Sequence, residues 1–462
     1  MSTTPQLHVV ILAAGKGTRM RSAKPKVLQS LGGKTMLARV LDAATSIRPA
    51  SLNVVVGFGA DQIVAATDRA DIRWVLQNEQ LGTGHAVRCA LDEVDFADDD
   101  HVLILYGDVP LLDAAVVQGL VDAARRSPLA VLTTELSDPS GYGRIIRDAA
   151  HALIAIREQK DATPLEQAIT EINTGLMCVR VGELRQWLTR LEPKNAQGEL
   201  YLTDIVGMAH AAEVAIEGVF TDDPVKVAGV NDRWALAELE REWQRRQAKS
   251  LALAGATIID PARLDIRGEL SIGTDVTIDV NVIFEGRVTI GNGVTIGPNS
   301  IIRNATLADG VQVLAFSHVD GAELAEGVVI GPYARLRPGT FLDAHSRIGN
   351  FVEVKASRIG AGSKVNHLSY VGDTEMGQEC NIGAGTITCN YDGANKHKTL
   401  IGDRVFVGSA SQLVAPVAVG SGATIGAGST ITKNVPEEQL ALARAPQVLK
   451  TGWQRPVKKK PA

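Results

Sequence analysis

The sequence predicts an α/β domain followed by an all-β domain of stacked coils, with one long helix between them. Across residues 1–230, short apolar runs alternate with stretches whose apolar residues recur at helical spacing, which is typical of a sheet covered by helices. From residue 252 to residue 462, an aliphatic residue recurs every six positions over long stretches. A fixed short period with one aliphatic residue per unit indicates coils stacked on one another.

Composition limits the classes of protein to which the chain can belong. Its 462 residues are enough for two or three domains. A formal net charge of -5 argues against a protein that coats nucleic acid. The four cysteines form no CxxC pair, and the apolar run at residues 7–14 is too short to cross a bilayer. We therefore expect a cytoplasmic protein that has no nucleic-acid or membrane partner.

The apolar runs of the first domain predict the buried strands of a mostly parallel sheet. Four of them read LHVVILAA, LNVVVGFG, HVLILYGDVP and LAVLTTEL, and KTMLARVLDAATSI between the first two predicts a helix. In such sheets, ligands bind beyond the carboxyl ends of the strands. The segments AAGKGTRM and YGDVPL fall at those ends.

Residues 231–251, NDRWALAELEREWQRRQAKSL, predict a single helix between the two domains. They contain neither Gly nor Pro, and if residues 232–250 are helical throughout they span roughly 28 Å. Because the apolar stripe is narrow, the pattern favours a spacer helix over a helix packed into a core.

The six-residue repeat of residues 252–462 predicts coils whose aliphatic residues point inward and whose corners carry Gly, Asn or Asp. One phase is held by Ile272, Ile278, Phe284, Ile290, Ile296 and Ile302. The six-residue spacing of aliphatic residues is interrupted between Ile302 and Ile330, and again between Val371 and Ile401. We expect loops to leave the stack at both breaks, and such loops carry function more often than the coils beneath them.

The strongest local signal in the first domain is LAAGKGTRM followed by KPKVL. Gly15 and Gly17 let backbone N–H groups approach phosphates closely, and Arg19 and Lys26 add the positive charge that a triphosphate requires. Asp108 ends a buried strand, where a carboxylate is costly unless it binds something. Mg²⁺ suits such a carboxylate, since it takes few oxygens from protein and the rest from phosphates and water.

These motifs resemble those of the nucleotide-sugar pyrophosphorylases. The resemblance implies a Rossmann-like nucleotidyltransferase fold, Mg²⁺ held by Asp108 and Asn231, and an in-line displacement of pyrophosphate from a nucleoside triphosphate. It assigns uracil contacts to Gln77, Gly82 and Thr83. The full set of residues that it implies for binding UTP and the UDP-sugar product is Leu12, Ala13, Ala14, Gly15, Arg19, Lys26, Gln77, Gly82, Thr83, Tyr106, Gly107, Asp108, Gly143, Glu158, Asn173 and Asn231.

The second domain resembles the left-handed parallel β-helix of hexapeptide-repeat transferases, and its loops carry acyl-transfer residues. An ammonium cannot attack a thioester, so a base must remove a proton from the amine, and a histidine suits that task. His367 is the predicted base. The resemblance assigns sugar-phosphate contacts to Arg337, Lys355, Tyr370 and Asn381. It assigns acetyl-CoA contacts to Ala384, Asn390, Tyr391, Ser409, Ala427 and Arg444.

Together the two halves resemble the bacterial family of bifunctional N-acetylglucosamine-1-phosphate uridylyltransferases and glucosamine-1-phosphate N-acetyltransferases. The resemblance implies glucosamine-1-phosphate, acetyl-CoA and UTP as substrates, and a homotrimer whose subunits share each acetyltransferase site. A pyrophosphorylase with a merely structural β-helix is the alternative enzyme. A scaffold without activity is a third reading, which requires Lys26, Asp108 and His367 all to be incidental.

Overall fold

The computed structural model describes residues 5–458 and divides into two compact units, the first ending at Trp243 and the second beginning at Gln244. The first is an α/β unit and the second is a parallel β-helix, so both predicted classes of domain are confirmed. Within residues 5–458, every helix is too short or too polar to cross a membrane.

The first unit is built on one sheet. Its strands are β1 (Leu7–Ala13), β2 (Ser30–Leu31), β3 (Lys34–Thr35), β4 (Ser51–Val56), β5 (Ile72–Leu76), β6 (His101–Tyr106), β7 (Leu129–Glu135), β8 (Arg144–Arg147), β9 (Leu153–Arg157), β10 (Glu171–Arg180) and β11 (Ile216–Phe220). The main sheet has the order β11-β7-β10-β6-β1-β4-β5; β8 and β9 attach to β10, whereas β2 and β3 form a separate pair. The strands predicted from the four apolar runs are β1, β4, β6 and β7.

The helices cover both faces of this sheet. They are α1 (Met36–Ser46), α2 (Ala60–Thr67), α3 (Thr83–Glu93), α4 (Ala114–Ala124), α5 (Pro164–Gln167), α6 (Val181–Leu188) and α7 (Asp204–Ala211). A further helix, α8 (Arg233–Leu253), begins in the first unit and ends in the second. Short 3-10 turns lie at Thr18–Met20, Lys26–Leu28, Pro224–Val227 and Pro261–Arg263. Two apolar clusters, one on each face, contain opposite-facing residues of β1, such as Ile11 and Val10.

One of the seven strands in the main order departs from the parallel arrangement. Strand β10 runs antiparallel to both of its neighbours, β6 and β7, whereas β1 is parallel to β4 and β6. The direction of β10 depends on how the chain returns to the sheet after β9, which the apolar pattern of the strand itself does not encode.

The second unit has three faces of parallel strands. The first face contains Thr257–Ile258, Thr277–Ile278, Thr295–Ile296, Gln312–Val313, Val329–Ile330, Arg347–Asn350, Lys364–His367, Asn381–Ile382, Phe406–Val407, Thr424–Ile425 and Leu440–Ala441. The second contains Ile301–Arg303, His318–Asp320, Arg335–Leu336, Glu353–Lys355, Tyr370–Gly372, Ile387–Cys389, Gln412–Val414 and Thr430–Ile431. The third contains Thr306–Leu307, Ala322–Leu324, Thr340–Leu342, Arg358–Ile359, Thr374–Met376, Thr399–Ile401 and Val417–Val419, and two longer strands, Leu264–Ile272 and Val282–Ile290, bend across the second and third faces.

The loop predicted between Ile302 and Ile330 is absent, so this prediction was wrong. The inward positions across this stretch are Leu307, Val313, Val319 and Leu324, and all of them are buried. The inward residue recurs after five positions from Ile302 to Leu307 and from Val319 to Leu324, because the strands of the third face follow a shorter turn. The break in the count is therefore a shortened side of a coil and not an excursion.

The second predicted loop is present. The chain leaves the stack after Thr388, whose side chain is buried at the inward position, and returns at the strand Thr399–Ile401. Asp392 Oδ1 accepts hydrogen bonds from the backbone N–H groups of Ala394 and Asn395, and Tyr391 and Lys396 form an isolated antiparallel bridge. We call residues 390–398 the excursion loop.

Helix α8 has packed residues in each of the two units, whereas the sequence favoured a plain spacer. In the first unit, the Arg39 guanidinium lies 3.9 Å from the centre of the Trp243 ring, and Leu239 is buried. In the second unit, the Gln244 side chain pairs with both backbone polar groups of Ile266 at 2.9 and 2.7 Å. A narrow apolar stripe is sufficient here because polar side chains of the helix make specific backbone contacts.

Candidate active sites

A cavity of about 560 Å³ lies beyond the carboxyl ends of β1 and β6, where ligands bind in sheets of this type. The predicted residues that line it are Leu12, Ala13, Ala14, Gly15, Lys26, Gln77, Gly82, Thr83, Tyr106 and Asp108. The residues that line it but were not predicted as ligand contacts include Lys16, Thr18, Gln80 and Glu199. Lys16 and Thr18 stand within the glycine-rich motif, so its spacing could have identified them.

Two pairs of polar side chains lie in or beside this cavity. Lys26 Nζ forms an ion pair with the carboxylate of Asp108, and both side chains are largely buried. Arg19 Nη2 donates to Asn231 Oδ1 at 2.8 Å. The backbone N–H of Val230, next to Asn231, donates to the carbonyl oxygen of Asp108 at 2.9 Å. The structure thus brings together the four residues predicted to neutralise the triphosphate.

The predicted sugar-binding residues are adjacent through backbone and side-chain contacts. The N–H of Asn173 donates to the carbonyl oxygen of Gly143 at 2.8 Å. A Cβ atom built on Gly143 would lie 3.0 Å from Ile156 Cγ2, a tight contact, and 3.4 Å from Glu158 Oε1. Thr203 Oγ1 donates to Glu158 Oε1 at 3.0 Å, and burial raises the pKa of the Glu158 carboxyl above its ordinary value.

Tyr106 lines the same cavity as Asp108. Burial raises the pKa of the Tyr106 hydroxyl, and the charges of Glu158 and Asp108 raise it further. The hydroxyl of Tyr106 therefore stays neutral and is available as a hydrogen-bond donor. Gly107 follows it, and a Cβ there would lie 3.1 Å from Val27 Cγ1.

The oxygens of Asp108 and Asn231 suit a divalent cation. One carboxylate and one amide oxygen are hard ligands of the kind that Mg²⁺ takes from protein. Both already attract positive charge, since each is paired with a cationic side chain in the structure. In the described part of the chain no group of three or more His, Cys, Asp or Glu side chains could hold a metal.

The predicted base of the second site is held by one hydrogen bond. His367 Nδ1 lies 2.9 Å from Asn350 Oδ1, and the two residues are paired in register on the first face. An amide oxygen only accepts, so Nδ1 carries the hydrogen and Nε2 retains the lone pair that a base requires. His367 is exposed, so that lone pair is accessible to a substrate.

A polar cluster lies around the corner on the second face. Lys355 Nζ lies 3.4 Å from Asp373 Oδ2, and Asn390 Nδ2 donates to the same oxygen. Asn390 Nδ2 also lies 3.5 Å from the Tyr370 hydroxyl. Arg337 Nη1 donates to Glu353 Oε1 at 2.9 Å. The structure therefore groups three of the predicted contacts, Lys355, Tyr370 and Asn390, and places Arg337 on an adjacent coil of the same face.

The small predicted acetyl-CoA contacts stack in successive coils. The N–H of Ala410 donates to the Ala384 carbonyl at 2.7 Å, and the N–H of Gly428 donates to the Ser409 carbonyl at 2.8 Å. Arg444 Nη1 donates to the Ala427 carbonyl at 2.6 Å. Ala384, Ser409 and Ala427 thus form one column that ends at an arginine. Tyr391 lies in the excursion loop, exposed, and its hydroxyl donates to the carbonyl of Gly393 at 2.6 Å.

One predicted contact stands apart from the others within a protomer. Asn381 lies on the first face, paired with Lys364, and lines a cavity of about 470 Å³ with His345 and Arg347. Lys355 and Tyr370 lie on the second face. The sequence reasoning also missed Asn350 and Asp373, which contact predicted residues directly.

Comparison with known proteins agrees with this division. Residues 9–171 match the MobA-like NTP transferase domain. Residues 270–304 and 398–433 match the bacterial transferase hexapeptide repeats. The two matches fall in the α/β unit and in the β-helix, and they fit the two transferase sites described above.

Three relatives, each named "Bifunctional protein GlmU", extend the similarity over the whole chain. The protein of Marinobacter nauticus is 53% identical over 454 residues, which cover 98% of this chain and 99% of the relative. Those of Azoarcus sp. and Burkholderia vietnamiensis are each 54% identical over 454 residues, which cover 98% of this chain and 100% of each relative. The chain therefore belongs to the GlmU family and is a bifunctional enzyme with N-acetyltransferase and uridylyltransferase activities.

Proposed function

We propose that the cavity bounded by Gly15, Lys26 and Asp108 is where the uridylyl group of UTP is transferred to N-acetylglucosamine-1-phosphate. A phosphate oxygen of the sugar attacks the α-phosphorus of UTP, the bond to the β-phosphate oxygen breaks, and pyrophosphate leaves. The observation that supports this assignment is the meeting of the glycine-rich turn, the Lys26–Asp108 pair and Asn231 at one sheet edge.

We propose that Asp108 and Asn231 hold Mg²⁺ when the nucleotide is bound. The ion supplies charge neutralisation to the phosphate oxygens. Lys26 and Arg19 turn from these two residues to the phosphates, because a triphosphate is the stronger anionic partner. Tyr106 and Glu158 orient the sugar through hydrogen bonds.

The second proposed reaction precedes the first and takes place on the β-helix. Nε2 of His367 removes a proton from the amine of glucosamine-1-phosphate as its nitrogen attacks the acetyl carbonyl of acetyl-CoA. The C–S bond then breaks and coenzyme A leaves as the thiol after taking up a proton. Arg337 and Lys355 bind the sugar phosphate, with Tyr370 and Asn381 as further contacts, and Arg444 binds a phosphate of coenzyme A.

We propose a homotrimer whose subunits meet at an exposed aromatic column beside His367. The rings of Phe316, Tyr333 and Phe351 stack with centres 4.9 and 5.2 Å apart, and Leu368 follows in the next coil. All four have positive φ, between 47° and 59°, where bulky residues are strained. They are 47–61% exposed in one protomer. An exposed patch of strained apolar residues is typical of a surface that a neighbouring subunit covers.

This arrangement also explains the position of Asn381. Leu368 is adjacent to His367 in sequence, so a subunit that covers the column reaches the acetyltransferase site. The face that carries Asn381 in one subunit can then complete the second-face cluster of another. We also infer a cytoplasmic location, in which all four cysteines stay free as they are in the structure.

The experiment uses the purified full chain with glucosamine-1-phosphate, acetyl-CoA, UTP and Mg²⁺, and measures free thiol and pyrophosphate while each component is omitted in turn. We expect Asp108→Ala to abolish pyrophosphate release and to leave thiol release unchanged. Near-normal pyrophosphate release by this variant would show that the metal assignment is wrong. A wild-type enzyme that never releases thiol would instead support the pyrophosphorylase with a structural β-helix.

A further inference from the structure

The hydrogen bonds around Gln77 determine which end of its amide faces the nucleotide cavity. Gln77 follows β5, is only 3% exposed and lines the cavity. Its Nε2 lies 3.2 Å from the carbonyl oxygen of Gly82 and 3.0 Å from His85 Nδ1. A carbonyl oxygen can only accept, so the group that faces Gly82 is the amide nitrogen and not the amide oxygen.

The same constraint fixes the form of His85. Because the amide nitrogen is a donor, His85 Nδ1 must accept, and the imidazole is neutral with its hydrogen on Nε2. That Nε2 lies 3.7 Å from Cys89 Sγ, one helical turn further along α3. Burial raises the pKa of the Cys89 thiol, so the sulfur stays neutral.

We infer that His85 is a positioning residue that makes Gln77 present only its carbonyl oxygen to the cavity, and so selects uracil over cytosine. Gly82 and His85 together take both amide N–H groups. Between residues 5 and 458, the structure gives the Oε1 atom of Gln77 no hydrogen-bond partner. An acceptor at that point matches the N3–H donor of uracil and opposes the N3 lone pair of cytosine.

This inference rests on the proposed function, since it requires that UTP bind in this cavity. It extends that function because sequence motifs alone place Gln77 near the base but do not say which amide end faces it. If His85 lost its acceptor, only the Gly82 carbonyl would hold the amide in this orientation, and the whole amide could turn so that its NH2 group faces the cavity. The amide could then donate to a cytosine edge, and discrimination between the two pyrimidines would fall.

The test compares kcat/KM for UTP and for CTP in the full chain by pyrophosphate release, with acetyl transfer by the same chain as a measure of intact folding. Two variants lack the acceptor, His85→Phe and His85→Leu. His85→Gln keeps an acceptor oxygen, and Asp92→Ala changes an exposed residue of the same helix. We expect the UTP to CTP ratio to fall about tenfold in the first two variants and to stay within about threefold of wild type in the others.

Two results would overturn the inference, and they are distinguishable. Equal losses for UTP and CTP in the Phe and Leu variants would show that His85 only supports the local structure. Equal use of UTP and CTP by the wild-type enzyme would show that the proposed uridylyl specificity is itself wrong. The KM for the sugar-1-phosphate should not change in any variant, because the ring of His85 contacts Gln77 and Cys89, and neither is a predicted sugar contact.

Discussion

The hydrogen bond between Asn350 and His367 predicts how the acetyltransferase responds to mutation of either residue. Removing His367 removes the base, and a positioned base contributes about 10²- to 10⁴-fold to such a rate. Asn350→Ala removes one hydrogen bond, 2.9 Å long, to Nδ1. Such a bond contributes about 0.5–1.5 kcal/mol, so the rate of acetyl transfer should fall by a factor of about 2–12.

The double variant Asn350→Ala/His367→Ala shows whether Asn350 acts only by positioning His367 or contributes to acetyl transfer directly. If Asn350 acts only by orienting the imidazole, Asn350→Ala costs nothing further once His367 is alanine, and the two effects are not additive. The assay is thiol release from acetyl-CoA with glucosamine-1-phosphate at saturating concentrations. Pyrophosphate release from UTP by the same protein serves as the internal control for folding, because that site lies in the other unit.

A definite result would refute this reasoning. If Asn350→Ala slowed acetyl transfer by the same factor in the His367→Ala background as in the wild type, Asn350 would act independently of the histidine. Equal loss of pyrophosphate release in either single variant would count against two separable sites. A His367→Ala enzyme with near-normal acetyl transfer would exclude His367 as the base.

Three further outcomes follow from buried, strained and inward-facing residues. Burial raises the pKa of Glu158. Its ionised carboxylate therefore destabilises the folded state at pH values above the raised pKa, and this cost is absent at pH values below the ordinary pKa of a glutamate. Glu158→Gln should raise the calorimetric unfolding temperature of the first unit near pH 8, and this gain should shrink toward about pH 5. Phe351→Asp, in the exposed aromatic column, should lower the mass measured by light scattering and the acetyl transfer, and should leave uridylyl transfer intact; an unchanged mass would exclude the column as the subunit interface. Thr388 Oγ1 accepts from the buried N–H of Gly372 at 2.8 Å, so Thr388→Val should destabilise the β-helix by about 1–3 kcal/mol despite restoring the aliphatic pattern. Denaturant unfolding of the second unit measures this change, and a stabilised valine variant would contradict it.

The fold was predictable wherever one residue type repeats with a fixed period. Strand β1 and the inward positions from Ile278 to Ile296 follow directly from the apolar pattern. The antiparallel direction of β10 was not predictable, because it depends on pairing between segments distant in sequence. The packing of α8 was missed for a similar reason: Gln244 reads as a surface residue until its backbone partner, Ile266, is known.

The candidate sites likewise contain residues that the sequence pattern predicts and residues that only the three-dimensional pairing reveals. Motifs placed Lys26, Asp108 and Asn231 in one site without knowledge of their distances. The partner of His367 could not be found this way, since strict six-residue counting over three sides would set Gly349 beside it. The shortened side of the coil shifts the register by one residue and brings Asn350 opposite the histidine instead. A shift of one residue changes which face of a strand a side chain occupies, and the repeat pattern alone does not reveal it.

The excursion loop has a consequence for how such enzymes can diversify. Residues 390–398 leave the stack between two coils, yet Ile387 still pairs with Gln412 and Thr399 still pairs with Val417 above the interruption. The cost of closing a longer loop rises only slowly with its length. Segments at this corner can therefore be exchanged or extended while the β-helix stays in register, so that the contacts proposed for acetyl-CoA and the stability of the β-helix can change independently.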